Sequence, residues 1–594
     1  MTTTKANATP DFSQAWSDLI GGWTQHATPA GGDDPQFQWT LLLKVMESYR
    51  QLADATVLEH PGQMIDQQID FWRQHMAICQ STMMRMAGQE TRAVIKPEKG
   101  DRRFEAPEWK ESPWFDYLHQ TYLLVNKSVK QAVDDVPGLD EKTHQRVRFF
   151  TRQLLSAMSP GNFLLSNPEV LRLTMESGGS NLLRGMQQFS EDMKNSADCL
   201  NVRMTDRSTF RLGENLATTP GKVVYRNAMF ELIQYLPNTA SVYKRPLLIV
   251  PPWINKFYVL DLRADNSFAR FARDQGHTVF MISWANPGRA SRMTGIDEYV
   301  THAMLAALDA IRDLTGEPDA NVMGYCAGGI LLAITLAWLA ARGESSRIAS
   351  ATHLTSLFDF SDAGDIGVYL DDFIVKALEQ ELDRQGVLDG RMLAVTFSML
   401  RENDLYWNYF IQNYLKGERP IPFDMLFWNT DSTNVPASVH KFFLRQLYLD
   451  NLLREPGGVS VTGTPIDLQQ VTTPAFILAT QQDHIAKWQG CYAGTQLYRG
   501  PVEFILGESG HVAGVLNPPQ GRYGHYRHTS LPSSAQTWFA EATLYPESWW
   551  LAWQRWIDPW GGDQVPARSP QKDLGDAPGS YVLVSATQAL MGES

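Results

Sequence analysis

Residues 321–341 hold the pattern that most restricts how this chain can fold. A short apolar run, Asn321-Val322-Met323, meets a glycine-flanked turn, Gly324-Tyr325-Cys326-Ala327-Gly328-Gly329, which opens an apolar stretch, 330–341, that reads as a helix. A strand that turns at once into a helix presents one side chain outward at the strand's end. Glycines flanking that turn let backbone segments approach closely. The side chain so presented is Cys326, and the amide of Ala327 at the helix start is placed to bind an oxyanion. A buried structural cysteine is the other fate open to a free thiol.

Around this turn, from about residue 223, short apolar strands alternate with helical stretches, the order expected of a parallel sheet covered on both faces. Strands are predicted at 247–250, 278–282, 321–323, 349–354, 475–479 and 502–506. A helix near 267–274 stops at Gly276, and another over 297–314 starts on Asp297 as its cap. That second helix carries Val300, Met304, Leu308 and Ile311 on one face and ends at Gly316. Between the strands at 349–354 and 475–479 lies an interval with aromatic clusters at 406–410 and 423–428. It is too long for a plain connection and too apolar for disorder, so a cap inserted over the active site is expected at roughly 356–450. Residues 1–205 read mainly as a helical N-terminal domain, for example at 38–52 and 63–86, with 206–594 as the catalytic domain. Phe12, Trp16, Leu19, Ile20 and Trp23 fall near one helical face, suited to packing on its own domain or docking on a hydrophobic surface. The run 561–579, rich in Pro, Gly and Asp, is expected to be a loose tail.

A chain of 594 residues is long enough for a large core plus a further region, and 43% hydrophobic against 20% charged residues describes a globular protein. The net charge of −13 argues against nucleic acid as a partner. No basic start followed by an apolar run marks a secretory signal, so a cytoplasmic location is expected. The most apolar stretch, 328–341, falls short of the ~20 residues that span a bilayer and reads as a buried helix, so no transmembrane segment is expected. The four cysteines, Cys79, Cys199, Cys326 and Cys491, are scattered, with no spacing that supports a metal site or a disulfide framework.

A nucleophile on such a turn needs a base and an acid, which in an α/β-hydrolase follow it in the chain on turns after later strands, acid first. Asp483 stands after the strand at 475–479, in Thr480-Gln481-Gln482-Asp483-His484. His511 stands after the strand at 502–506, in Gly507-Glu508-Ser509-Gly510-His511. His484 is a rival base, but as the chain neighbour of Asp483 it is poorly placed to bond that carboxylate and face Cys326 as well. Glu508 is a rival acid that precedes His511 too closely. A turn-capping role is the alternative for Asp483. Pro251-Pro252-Trp253-Ile254-Asn255-Lys256 follows the first core strand, where a second oxyanion donor belongs. Proline has no amide hydrogen, so Trp253 or Ile254 must donate; a rigid turn without a catalytic part is the alternative.

Taken together, Pro251-Pro252-Trp253-Ile254-Asn255-Lys256-Phe257-Tyr258, the cysteine turn, Asp483-His484 and Gly510-His511-Val512-Ala513-Gly514-Val515 resemble the polyhydroxyalkanoate synthases, in particular their class I type. Ser159-Pro160-Gly161-Asn162-Phe163, Gln275-Gly276-His277-Thr278-Val279-Phe280 and Asn403-Asp404-Leu405 extend the resemblance over roughly residues 100–560. Trp253 departs from the smaller or sulfur-bearing residue associated with that place. The resemblance implies an α/β-hydrolase core preceded by a helical domain, with Cys326 as nucleophile, Asp483 as acid and His511 as base. It also implies an acyltransferase that polymerises (R)-3-hydroxyacyl-CoA and releases coenzyme A, with no separate cofactor. Further implications are a growing polyester chain, an active homodimer, and a place on cytoplasmic polymer granules among granule-associated proteins. A thioesterase or intracellular polyester depolymerase of the same fold is the alternative function, and a non-catalytic granule-binding protein is a third.

Overall fold

In the computed structural model, residues 36–592 are described apart from 57–60, 99, 137, 195 and 197–199. The 11–23 segment and Cys199 lie outside the described residues. Contacts divide the chain into two units, Met1–Asp206 with Ala394–Ile421, and Arg207–Leu393 with Pro422–Ser594.

The first unit is helical, with Gln36–Asp54, Pro61–Met86, Pro113–Asp134, Glu141–Ala157, Pro168–Glu176 and Ser180–Lys194 as its main helices. Asp140 and Asn167 start two of these by accepting the amide hydrogens of Thr143 and Val170. Residues 394–421, inside the interval expected to form the cap, belong to this unit by their contacts, so the interval 356–450 is not a single body. Polar ties hold them there. Tyr414 donates to Asp192 (2.7 Å), Asn413 to the Arg203 carbonyl (2.6 Å), and Ser156 to Glu402 (2.9 Å). Gly185 leaves room for the Tyr414 backbone, whose carbonyl oxygen would lie 1.9 Å from an added Cβ.

The second unit is built on a ten-stranded sheet. In chain order its strands are β1 (Gly221–Arg226), β2 (Phe230–Tyr235), β3 (Leu247–Val250), β4 (Val279–Trp284) and β5 (Ala320–Tyr325). They continue as β6 (Ile348–Leu354), β7 (Ala475–Thr480), β8 (Val502–Gly507), β9 (His525–Arg527) and β10 (Thr543–Tyr545). Their order across the sheet is β1-β2-β4-β3-β5-β6-β7-β8-β9-β10. The block from β4 to β8 is parallel, and both edges are antiparallel. Burial on both faces explains why the parallel strands read as continuous apolar runs. The helix Ala327–Ala341 is buried almost throughout, from Ala327 to Leu339, and the residues around it form one contiguous core. Among the described residues no helix is long and apolar enough to cross a membrane.

Two local expectations need correction. The helix after β4 begins one residue early, at Ile296, and Asp297 does not cap it. Glu298 accepts the Gly295 amide instead (2.8 Å), while Asp297 accepts the amide of Thr462 (2.9 Å). The 561–579 run is not loose. Gln564–Pro566 pairs with Ser241–Tyr243, and residues 574–577 exchange backbone hydrogen bonds with β1, the edge strand. Backbone pairing needs no apolar side chains, so composition hides it, and it covers an edge that would otherwise be open.

Candidate active site

Cys326 sits between the end of β5 and the helix Ala327–Ala341, with φ 52° and ψ −118°, a conformation that side-chain-bearing residues rarely adopt. The surroundings hold it there. Its amide donates to the Leu354 carbonyl (2.8 Å), and its carbonyl accepts from the amides of Gly329 and Ile330 and from Ser356 Oγ (3.1 Å). The flanking glycines are needed for contact rather than for dihedral freedom. A Cβ on Gly324 would lie 2.5 Å from Gly329 Cα, and one on Gly328 would lie 2.1 Å from the Val250 carbonyl oxygen and 2.8 Å from that of Pro251. The backbone leaving β3 therefore crosses the first turn of the cysteine helix just before Trp253. The amides of Ala327 and Gly328 come before the first hydrogen bond of that helix, from Gly329 to the Cys326 carbonyl, and carry partial positive charge.

Asp483 and His511 meet beside this turn, with His511 Nδ1 2.6 Å from Asp483 Oδ2. The loops that carry them are stitched together, because the amides of Gln481 and Gln482 donate to the carbonyls of Gly507 and Ser509 (2.9 Å each). The other carboxylate oxygen of Asp483 accepts the amides of Ile485 and Ala486, both at 2.8 Å. Burial opposes ionisation of Asp483, yet His511 and these amides hold its carboxyl below the usual range. Burial likewise opposes a charged His511 ring, but the Asp483 carboxylate and the Cys326 side chain beside it carry its pKa well above the ordinary histidine range. The structure thus brings the three sequence-selected residues together.

Glu508, the rival acid, accepts the Gly524 amide (2.8 Å) and braces its loop. His484, the rival base, follows Asp483 in the chain, whereas it is His511 that bonds the Asp483 carboxylate. Cys491 is fully buried, and burial pushes its thiol well up, which makes it a poor nucleophile. Cys79, in the first unit, is free as well. Among the described residues no group of three or more His, Cys, Asp or Glu side chains is placed to hold a metal ion.

Trp253 is 4% exposed, its indole packed against Tyr299, Phe443 and Trp284 with ring centroids 4.5, 5.5 and 6.0 Å away. This burial fixes the loop without using the indole for chemistry. One contributor that motif reading passes over is Tyr325. Its ring stacks on His511 at 5.5 Å and its hydroxyl donates to the His511 carbonyl (3.2 Å), so the residue before the nucleophile helps to seat the base. Its place immediately before Cys326 was the only available signal.

The chain is similar to known proteins over most of its length. Residues 100–272 match the family model described as "Poly-beta-hydroxybutyrate polymerase (PhaC) N-terminus", and residues 246–518 match the alpha/beta hydrolase fold. A poly(3-hydroxyalkanoate) polymerase of Methylorubrum extorquens is 43% identical over 89% of this chain and 88% of its own length. The poly(3-hydroxyalkanoate) polymerase subunit PhaC of Rhizobium meliloti is 42% identical over 89% and 87%. That of Cupriavidus necator is 41% identical over 89% of each chain. Among solved structures, an alpha/beta hydrolase of Penicillium aligns with a TM-score of 0.30 at 14% identity, over 48% of this chain and 87% of its own.

Proposed function

The chain belongs to the poly(3-hydroxyalkanoate) polymerase family, acyltransferase-type enzymes, and from that premise we propose that it polymerises (R)-3-hydroxyacyl-CoA through a covalent acyl group on Cys326. The observation that carries this reading is the meeting of Cys326, His511 and Asp483 at the ends of β5, β8 and β7, with the nucleophile in a strained turn over a helix start.

In this scheme His511 takes the proton of Cys326, and the thiolate attacks the thioester carbonyl. The amides of Ala327 and Trp253 stabilise the oxyanion, the bond to coenzyme A breaks, and His511 returns the proton to the departing thiol. Thioester exchange is close to balanced in energy, so sulfur keeps the acyl group activated where a serine ester would hold it less reactive. A 3-hydroxyl group then attacks the acyl-cysteine as His511 accepts its proton. An ester forms, Cys326 is regenerated, and the chain is one unit longer. Both carboxylate oxygens of Asp483 are already engaged, one by His511 and one by backbone amides, which favours Asp483 as the group that orients His511 over direct attack on the hydroxyl proton. Coenzyme A is a leaving group here and no separate cofactor is called for. The reading includes a homodimer working at the surface of cytoplasmic polymer granules, in the company of granule-associated proteins.

The test is incubation with (R)-3-hydroxybutyryl-CoA, following both coenzyme A release and product solubility. Insoluble polyester is expected, with release abolished in Cys326→Ala. Soluble hydroxy acid as the main product would instead make the enzyme a hydrolase, and normal release by Cys326→Ala would remove the mechanism.

A further inference from the structure

The loop that carries the second oxyanion donor is held along much of its length by one short segment outside the sheet. Thr433 Oγ1 donates to the Trp253 carbonyl, and the Thr433 amide donates to the Ile254 carbonyl (3.1 Å). Asn255 and Ser432 pair as an isolated antiparallel bridge. Trp428 Nε1 donates to the Lys256 carbonyl (2.7 Å), the Lys256 ammonium lies 2.9 Å from Asp431 Oδ1, and the Tyr258 hydroxyl donates to Asp431 Oδ2 (2.9 Å). Lys256 and Asp431 are 7% and 8% exposed and Thr433 is 2% exposed, so these are water-excluded contacts rather than a surface pairing.

A buried ion pair gives little net stability against an apolar replacement, but it fixes geometry wherever both partners are needed at one spacing. Here the cation is anchored three residues beyond Trp253, and each oxygen of Asp431 holds a different residue of the loop. Thr433 holds the two carbonyls beside the candidate amides. An oxyanion donor works only when pre-set at the oxyanion's position, and a small displacement is costly in rate.

We propose that Asp431 and Thr433 are positioning residues that clamp the 253–258 loop and so hold the Trp253 and Ile254 amides toward the acyl oxyanion at Cys326. The inference rests on the acyl-cysteine reading above, and its test separates the two. Coenzyme A release from (R)-3-hydroxybutyryl-CoA passes through an oxyanion. Alkylation of Cys326 by iodoacetamide forms a carbon–sulfur bond and expels iodide with no oxyanion, although it needs the same nucleophile and base.

In full-length Asp431→Asn, kcat for coenzyme A release is expected to fall about 100-fold with KM changed less than about threefold, while the alkylation rate stays within about twofold. Thr433→Val removes a hydrogen bond without unpairing a buried charge, which guards against simple misfolding of the first variant. Its kcat is expected to fall about tenfold, again with alkylation intact. Unchanged kcat in both variants would overturn the clamp, as would a parallel loss of alkylation in both, which would mean general collapse of the site. Normal coenzyme A release by Cys326→Ala would instead overturn the underlying reading.

Discussion

At Cys326 the backbone adopts a conformation that costs on the order of 1–3 kcal/mol, and it persists because Leu354, Gly329, Ile330 and Ser356 all bond to it. Its partners are tuned by each other. The native pKa of His511 is raised, so its contribution to stability is fully present below the ordinary 6.5 and is lost as pH rises through the folded value. The native pKa of Asp483 is lowered, so its contribution is present above the ordinary 3.8 and is lost as pH falls through the folded value. The melting-temperature gap between the wild type and Asp483→Asn should therefore be widest between those limits and narrow on both sides. A gap independent of pH would contradict the coupling. Activity of the same variant should fall on the order of 10²–10⁴-fold. Cys326, Asp483 and His511 were legible because each stands in a local pattern of strand followed by turn. Thr433 and Asp431 were not, because their partners lie far away in the chain and nothing local marks a threonine or an aspartate as a clamp.

The strand–turn–helix element is set by contact distance. Replacing Gly328 by Ala would ordinarily stabilise a helix by about 0.5–1 kcal/mol. Here the new Cβ would sit 2.1 Å from the Val250 carbonyl oxygen, so the β3 end or the helix must move. Gly328→Ala is expected to lose about 1–3 kcal/mol in denaturant titration and to slow coenzyme A release. A stabilised variant with full activity would show that the close crossing is unnecessary. The six strands proposed from apolar runs all exist, with ends shifted by two residues or fewer. β2, Phe230–Tyr235, was hidden for a physical reason, because it buries Glu231 and Gln234 among its apolar residues. Glu231 is 0% exposed, with Arg226, Ser580 and the amides of Ser580 and Tyr581 as its partners. A strand whose polar side chains are satisfied by the far end of the chain does not read as a core strand.

Over the whole molecule, the features that escaped the sequence are those made by distant pairing, the hold of the C-terminal segment on β1 and the assignment of 394–421 to the helical unit. Acid stability is also a property at this scale. His277 and His353 are 1% and 0% exposed, and burial pushes both down to about 4. Between pH 6.5 and that value the unfolded chain binds the protons that the native chain refuses, which costs about 3 kcal/mol for each histidine. Buried Asp261 acts the other way, because burial raises it to about 6 and the native chain then binds a proton first. Burial pushes His440 down to about 4 as well and raises Asp192 alongside Asp261, so three histidines outweigh two carboxyls. The melting temperature should fall as pH drops from 6.5 to 4, and His353→Gln should flatten that slope. An unchanged melting temperature across the window would contradict these ionisation states. The central claim is the covalent acyl group on Cys326, and the most direct test is mass spectrometry of the protein quenched in acid after mixing with (R)-3-hydroxybutyryl-CoA. The expected result is a hydroxyacyl mass increment on the Cys326 peptide, absent from Cys326→Ala. Coenzyme A release with no adduct on that peptide, or with the adduct on another residue, would contradict it.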